Sequence, residues 1–323
     1  MTAESIGGRS VLACASSGGH FKQLVSLVPR LPNVDLVTWV TFDTGLERAL
    51  LEAAGHGADE LVTVPYAAPR DLRNLARDAR IVHRLLRARA YDLAVSTGAG
   101  LAVASLPLAR MSGVRSCFIE SATRVQGPSL SGRILERFPG IEQYAQHPGF
   151  GPRWSQVGSV HDGFAPGPLR ELVRIERAVV TLGTIRPYGF RSLIEAVRAA
   201  LPSNCDVLWQ TGATDVTDLE IDAREHVPGD ELEHAMSEAD VVIAHAGTGT
   251  ALTAFELGRA PVLVPRRQAR GEHVDDHQVR TARMLAERGL AVHLEVEQVS
   301  GERLLEAGRR TVVTLDEPPP LPI

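Results

Sequence analysis

Short β-branched or apolar runs alternate with longer stretches of helical period along most of this chain. That alternation is the pattern of parallel strands joined by crossover helices, so it confines the chain to doubly wound α/β folds. The first series predicts strands at Ser10–Ala15, Asp35–Val40, Leu61–Val64, Leu93–Val95, Ser116–Ile119, Ile141–Tyr144 and Trp154–Val157. Helices are expected after Gly19, around Leu46–Ala54, across Asp71–Arg89 and from Gly100 to Met111. A second series predicts strands at Ala178–Thr181, Asp206–Gln210, Val241–Ala244, Pro261–Val264 and Ala291–His293, with helices near Gly189–Ala200, Glu231–Ser237, Thr250–Leu257 and Asp275–Arg288. The Gly- and Pro-rich stretch Gly158–Leu172 separates the two series and reads as a linker. Two Rossmann-like domains follow, over 1–160 and 161–323, and 323 residues suffice for two independent cores. The Pro-rich tail Glu317–Ile323 is expected to be extended or frayed.

Composition removes other classes. With 44% apolar and 23% charged residues the chain is globular, neither disordered nor a coiled coil. No apolar run approaches the ~18–20 residues of a membrane span, and the start MTAESIGGRS has no signal-peptide pattern, so a cytoplasmic protein is expected. Cys14, Cys117 and Cys205 are too widely spaced for zinc or a disulfide frame. No cluster has metal-ligand spacing, no metal or cofactor is expected, and a P-loop and a nucleophile elbow are absent. Residues 1–160 hold 17 basic against 13 acidic residues, and the rest 17 against 26. The first half is therefore expected to meet an anionic partner. Its most basic segment, Pro69–Ala90, sets seven arginines against leucines at helical spacing, a pattern suited to anionic lipid or simply to a solvated helix face. No aromatic residues interleave it, which speaks against nucleic acid.

In doubly wound folds ligands bind beyond the carboxyl ends of the strands. In the first half those ends carry Ala15–His20 (ASSGGH), Ser96–Gly100 (STGAG) and Glu120–Arg124 (ESATR). Gly18 and Gly19 permit close backbone approach, and the helix start that follows favours an anion. His20 is a candidate base, with helix capping as the competing role, and Glu120 is a second candidate. Thr97, Gly98 and Gly100 form the neighbouring turn. In the second half, His245-Ala-Gly247-Thr248-Gly249-Thr250 follows a strand and opens a helix, which suits a diphosphate. Glu256, two turns on, is placed to accept ribose hydroxyls. Gly183, Thr184 and Arg186 follow another strand, and His277–Gln278 offer hydrogen bonds to sugar hydroxyls. His245 reads equally as a structural histidine, and Glu272 and Asp275 as solvation of a long loop. Arg266, Arg267 and Arg270 in that loop could pair with a sugar carboxylate, with phosphate or with solvent.

These motifs resemble the GT-B glycosyltransferases that use nucleotide sugars. SSGGH, STGAG and FIESATRVQGPSLSGRIL are similar to Alg14-type proteins. GTIRPYGF, IAHAGTGTALTAFELGRAPVLVPR and DDHQ are similar to Alg13-type proteins, here in one chain. Together those two types form an N-acetylglucosaminyltransferase acting on a membrane lipid. The loop RRQARGEHVDDHQ looks closest to bacterial pairs of exopolysaccharide or capsule assembly, and MurG is a more distant single-chain relative. The resemblance implies two Rossmann-like domains facing each other across a cleft, closing about Gly158–Leu172. It implies a UDP-sugar donor at Gly247–Thr250, Glu256, His277 and Gln278, and a lipid-linked saccharide acceptor at Gly18–His20. The Alg14 type usually carries an N-terminal membrane helix, which this sequence lacks, so peripheral membrane contact would rest on segment 69–90. A UDP-sugar 2-epimerase and a non-catalytic UDP-sugar-binding subunit are the rival readings.

Overall fold

The computed structural model of the chain describes residues 8–45, 47–67, 71–183, 188–272 and 277–323. It divides into unit 1, Met1–Val160 with Pro319–Ile323, and unit 2, His161–Pro318. In chain order unit 1 holds β1 (Arg9–Ala15), α1 (Gly19–Leu27), β2 (Val34–Phe42), α2 (Glu47–Ala53), β3 (Glu60–Val64) and α3 (Leu72–Ala88). It continues with β4 (Leu93–Gly98), α4 (Ala99–Met111), β5 (Arg115–Ile119), α5 (Leu130–Leu135), β6 (Ile141–Ala145) and β7 (Trp154–Gln156). Unit 2 holds β8 (Phe164–Pro166), β9 (Arg177–Thr181), α6 (Arg191–Ala200), β10 (Asp206–Gln210), β11 (Ala223–Arg224), α7 (Gly229–Glu238) and β12 (Val241–Ala244). It ends with α8 (Thr248–Glu256), β13 (Val262–Leu263), α9 (His277–Glu287), β14 (Val292–His293), α10 (Gly301–Gly308) and β15 (Val312–Thr314).

Among the described residues, the unit 1 sheet has the order β3-β2-β1-β4-β5-β6-β7 and the larger unit 2 sheet β11-β10-β9-β12-β13-β14. All pairs within these two sheets are parallel. Both orders reverse direction at one place, between β1 and β4 and between β9 and β12, which defines a topological switch point in each unit. β1 lies at the centre: Leu12 is opposite Thr38 of β2 and Ala94 of β4. Its residues Val11–Ala15 have no exposed surface, which is why the strand reads as an unbroken apolar run. The unit 1 core packs Val82 of α3 and Leu101 and Leu106 of α4 against Leu12, Phe118 and Trp154. In unit 2, Ile194 and Val197 of α6 and Leu304 of α10 cover Val180, Ile243 and Val262.

The structure departs from the sequence expectation in three places. Two helices, α5 and α10, and three strands of two or three residues, β8, β11 and β15, were not foreseen. Each is too short to show a period of its own. The first part of the expected linker is built into unit 2: β8 pairs with β15, and Phe164 and the fully buried His161 pack on Phe255. The last residues are neither frayed nor part of unit 2. Leu321 and Ile323 are buried on unit 1, Arg30 Nε donates to Pro319 O at 2.8 Å, and Leu321 N–H donates to Arg30 O at 2.8 Å.

α3 is capped by Asp71, whose carboxylate accepts the Asn74 N–H, and it exposes Arg73, Arg77, Arg80, Arg84 and Arg87. Pro69 and Arg70, the start of the basic segment, lie outside the described residues. On its inner side Asp78 is fully buried, and neither carboxylate oxygen has a hydrogen-bond partner among the described residues. Burial, with repulsion from Asp71, raises its pKa to about 6. The folded value lies above the ordinary one, so folding is penalised increasingly as pH rises from about 4 through about 6, and fully at neutral pH. Asp78→Asn is therefore expected to raise the melting temperature at pH 7.5, with a much smaller gain at pH 4. An equal gain at both pH values in calorimetry would refute the assignment.

Candidate functional site

The switch point of unit 1 is bridged by His20. The imidazole sits in the first turn of α1, half-buried, and its Nδ1 lies 2.9 Å from the carbonyl oxygen of Thr97 on β4. A carbonyl can only accept, so Nδ1 carries the proton and Nε2 presents a lone pair. Thr97 Oγ1 donates back to His20 O at 2.6 Å, tying the first turn of α1 to the end of β4. Gly98 adopts φ +132, and a side chain there would begin 2.9 Å from the imidazole. Glycine at this position is what admits the ring. Burial lowers the His20 pKa, partly offset by the Thr97 carbonyl. Burial therefore favours the neutral form of the imidazole. α1 starts at Gly18 with no side-chain cap, which leaves the N–H groups of its first turn without a side-chain acceptor. Gly19 and Gly18 have open space around them, and at Gly100, in the first turn of α4, an added side chain would begin at ordinary contact distance from Leu75.

Glu120, the second candidate base, is engaged by backbone. It is 1% exposed, Oε1 accepts the Ser121 N–H at 3.0 Å and Oε2 accepts the Ser129 N–H at 2.7 Å. Both oxygens are committed to backbone, holding the ESATR loop to the start of α5, and Gly132 is packed against Oε2. Those two bonds tie the carboxylate to the loop. Sequence reasoning also missed the buried amides that support it. Gln23 Oε1 accepts the Ala122 N–H at 2.8 Å and is reached by Gln146 Nε2 at 3.0 Å, while Gln146 also donates to Glu120 O. Gln23 stands one turn after His20, the only trace of this role in the sequence.

Unit 2 repeats the device with the strands exchanged. His245 follows β12 and its Nδ1 lies 3.5 Å from the Thr181 carbonyl at the end of β9. A side chain on Gly183 would begin 2.7 Å from His245 Nε2, and one on Gly247 2.5 Å from it. The imidazole is therefore clasped between the two Gly-rich loops, each of which needs its glycine. Gly247 then starts α8, again with no side-chain cap. The helix begins at Thr248, two residues earlier than expected, so Thr248, Gly249 and Thr250 form its first turn. Their N–H groups precede the first intrahelical bond, Ala251 N–H to Gly247 O at 3.1 Å. Thr248 is 3% exposed and its Oγ1 has no hydrogen-bond partner among the described residues. An uncapped helix start with an orphaned hydroxyl is chemically complementary to phosphate oxygens. Glu256 is exposed at the far end of α8.

Thr184 and Arg186 lie outside the described residues, as does Asp275. His277 opens α9, and Gln278 is buried with its Oε1 accepting the Arg266 N–H at 3.1 Å. Glu272 does not solvate a loop: it is buried and accepts from Ser192 Oγ at 2.9 Å and from the Arg267 N–H at 3.0 Å. Of the three loop arginines, Arg267 is paired with Glu295 and Arg270 with Glu297. Each thus already faces a carboxylate of the chain itself. Among the described residues no group of three His, Cys, Asp or Glu side chains is placed to hold a metal ion, and no helix is long and apolar enough to cross a membrane.

Residues 178–314 match the glycosyltransferase family 28 C-terminal domain. Over 316 residues the chain is 26% identical to the UDP-N-acetylglucosamine--N-acetylmuramyl-(pentapeptide) pyrophosphoryl-undecaprenol N-acetylglucosamine transferase of Methylococcus capsulatus, covering 88% of this chain and 84% of the relative. The crystal structure of Acinetobacter baumannii MurG superposes with a TM-score of 0.55 at 19% identity, covering 92% of this chain and 89% of that one. A UDP-N-acetylglucosamine 2-epimerase shares the fold at TM-score 0.54 and 11% identity, over 94% of each chain. Fold likeness thus spans two chemistries, while the domain match and the sequence relatives select one of them. The chain is a glycosyltransferase of the GT-B fold related to the MurG enzymes.

Proposed function

We propose that the chain transfers a sugar from a UDP-sugar to a hydroxyl of a lipid-linked saccharide, with inversion at the anomeric carbon, in the assembly of a cell-surface glycan such as an exopolysaccharide. The observation that carries this reading is the start of α8, where uncapped N–H groups and the orphaned Thr248 hydroxyl match a diphosphate. His20 Nε2 takes the proton of the acceptor hydroxyl as its oxygen bonds to the anomeric carbon. The bond from that carbon to the β-phosphate oxygen breaks, and UDP departs with the electron pair. The dipoles of Thr248–Thr250 stabilise the developing charge in place, without a metal. In this reading Gly183, Thr184 and Arg186 are assigned to the diphosphate, Glu256 to the ribose hydroxyls, and His277 and Gln278 to the donor sugar. Gly18, Gly19, Thr97, Gly98 and Gly100 form the acceptor side, and Glu120 supports it. The arginines of α3 hold the enzyme peripherally on the anionic inner face of the membrane.

Turnover of UDP-N-acetylglucosamine, UDP-glucose, UDP-galactose and UDP-glucuronate, with and without a lipid-linked acceptor, tests the reading. Sugar transfer only when acceptor is present is expected. Epimerised donor in the absence of acceptor would establish the 2-epimerase reading instead, and binding without turnover the subunit reading. In the same assay, replacing Arg77, Arg80 and Arg84 by Gln should lower transfer to acceptor in anionic vesicles by about tenfold or more, at ~1 kcal/mol per arginine. Transfer to a detergent-dispersed acceptor should be unaffected; an equal loss there would remove the membrane role.

A further inference from the structure

Arg266 is 1% exposed, and among the described residues it makes no ion pair. Its guanidinium lies over the Phe190 ring at 5.8 Å and reaches the Gly183 carbonyl only at 3.5 Å, while its buried Nε has no hydrogen-bond partner among the described residues. Glu272 is a described acid whose charge acts on it, and both of that carboxylate's oxygens are held by Ser192 and the Arg267 N–H. A buried cation left so poorly compensated is costly, and such groups persist where a ligand completes them. The neighbours say which ligand. Gly183, which Arg266 reaches, packs on His245 Nε2; the same nitrogen packs on Gly247, and Gly247 starts α8 with its orphaned Thr248 hydroxyl. One glycine and one imidazole therefore separate the guanidinium from the uncapped helix start.

We propose that Arg266 is a positioning and charge-supplying residue for the anionic diphosphate of the nucleotide donor, acting through the Gly183–His245–Gly247 stack. This rests on the donor-site reading above. The role is electrostatic, so it scales with the charge of the nucleotide: least for uridine, intermediate for UMP, greatest for UDP. A unit charge ~10 Å from a phosphate, at an effective dielectric of ~20, changes affinity by roughly tenfold. It also favours departing UDP over bound UDP-sugar, because the leaving diphosphate carries the larger charge.

Calorimetric binding of uridine, UMP and UDP to the wild type, Arg266→Met, Arg266→Gln and Arg266→Lys separates the possibilities. Met and Gln are expected to weaken UDP about tenfold, UMP less and uridine not at all. Lys, which restores charge but not the guanidinium geometry, should recover most of the UDP affinity. The unliganded melting temperature of Arg266→Met should be no lower than that of the wild type, since a poorly compensated charge has been removed. Gln keeps a donor for the Gly183 carbonyl and carries the test if Met does not fold. Equal weakening of uridine and UDP, or no rescue by Lys, would show a merely structural residue and overturn the proposal. With UDP-glucuronate added to the series, a loss confined to that ligand would assign the charge to the sugar carboxylate and overturn it as well. Wild-type protein that does not bind UDP would overturn the donor-site reading, and this proposal with it. Wild-type binding that both neutral variants retain would overturn this proposal alone.

Discussion

Alanine in place of His20 is expected to lower sugar transfer by about 10²–10⁴, the range in which a positioned general base contributes. UDP affinity should stay within about twofold of wild type, because the imidazole belongs to unit 1 and the proposed nucleotide site to unit 2. His20→Gln keeps a hydrogen-bonding side chain near the Thr97 carbonyl but has no basic nitrogen, so it should be as inactive as alanine. Glu120→Gln should behave differently: it weakens two backbone hydrogen bonds, and the loss should appear in melting temperature more than in the rate per folded molecule. The pH profile gives an independent check. Burial lowers the His20 pKa, so the acid limb of kcat/KM should lie on the acid side of the ordinary histidine range. A fall in UDP binding that matched the fall in transfer would make His20 structural.

Gly247→Ala is expected to reduce UDP affinity and transfer together, by on the order of 10², comparable with the loss of an oxyanion donor. The added methyl carbon would stand 2.5 Å from His245 Nε2, and on the other side Gly183 already limits where the ring can go. Either the imidazole or the start of α8 must shift, and in both cases the first-turn N–H groups lose their aim. Gly183→Ala meets the same ring at 2.7 Å and should give the same phenotype. Gly229→Ala, at the first position of α7 with open space around it, is the control for a helix-start glycine and should leave UDP binding unchanged. Wild-type UDP affinity in Gly247→Ala, measured by calorimetry, would remove α8 from the donor site.

The parallel architecture was legible because buried parallel strands are apolar on both faces and announce themselves as runs such as Val11–Ala15 and Val241–Ala244. The loops at their ends were legible for the same reason, since a glycine pair between such a run and a helix is easy to see. What these loops touch was not. The pairing of His20 with Thr97 spans 77 residues, and that of His245 with Thr181 spans 64, so no local pattern could reveal them. Glu120 reads identically in sequence whether its carboxylate faces a substrate or backbone N–H groups, and only the position of Ser129 decides. Arg266, Arg267 and Arg270 look equivalent as letters. They are told apart by Glu295 and Glu297, on a segment nearly thirty residues away, which engage two of the three. The tail was misjudged because prolines usually mark a free end, whereas here they stiffen a segment that Arg9 and Arg30 grip.

That grip has a consequence for how such a protein can be divided between genes. Unit 1 is assembled from the first 160 residues and from residues 319–323, so the polypeptide leaves it once and comes back. A break anywhere in 167–172 falls inside unit 2, so each unit would then be built from both pieces: the first carries β8 to pair with β15, and the second carries Leu321 and Ile323 as a hook into unit 1. Removing residues 319–323 from an unbroken chain does the opposite, opening the circuit while keeping the backbone continuous. Whether halves of this kind stay together as separate polypeptides is thus decided as much by five residues at the far end as by the segment where the cut is made.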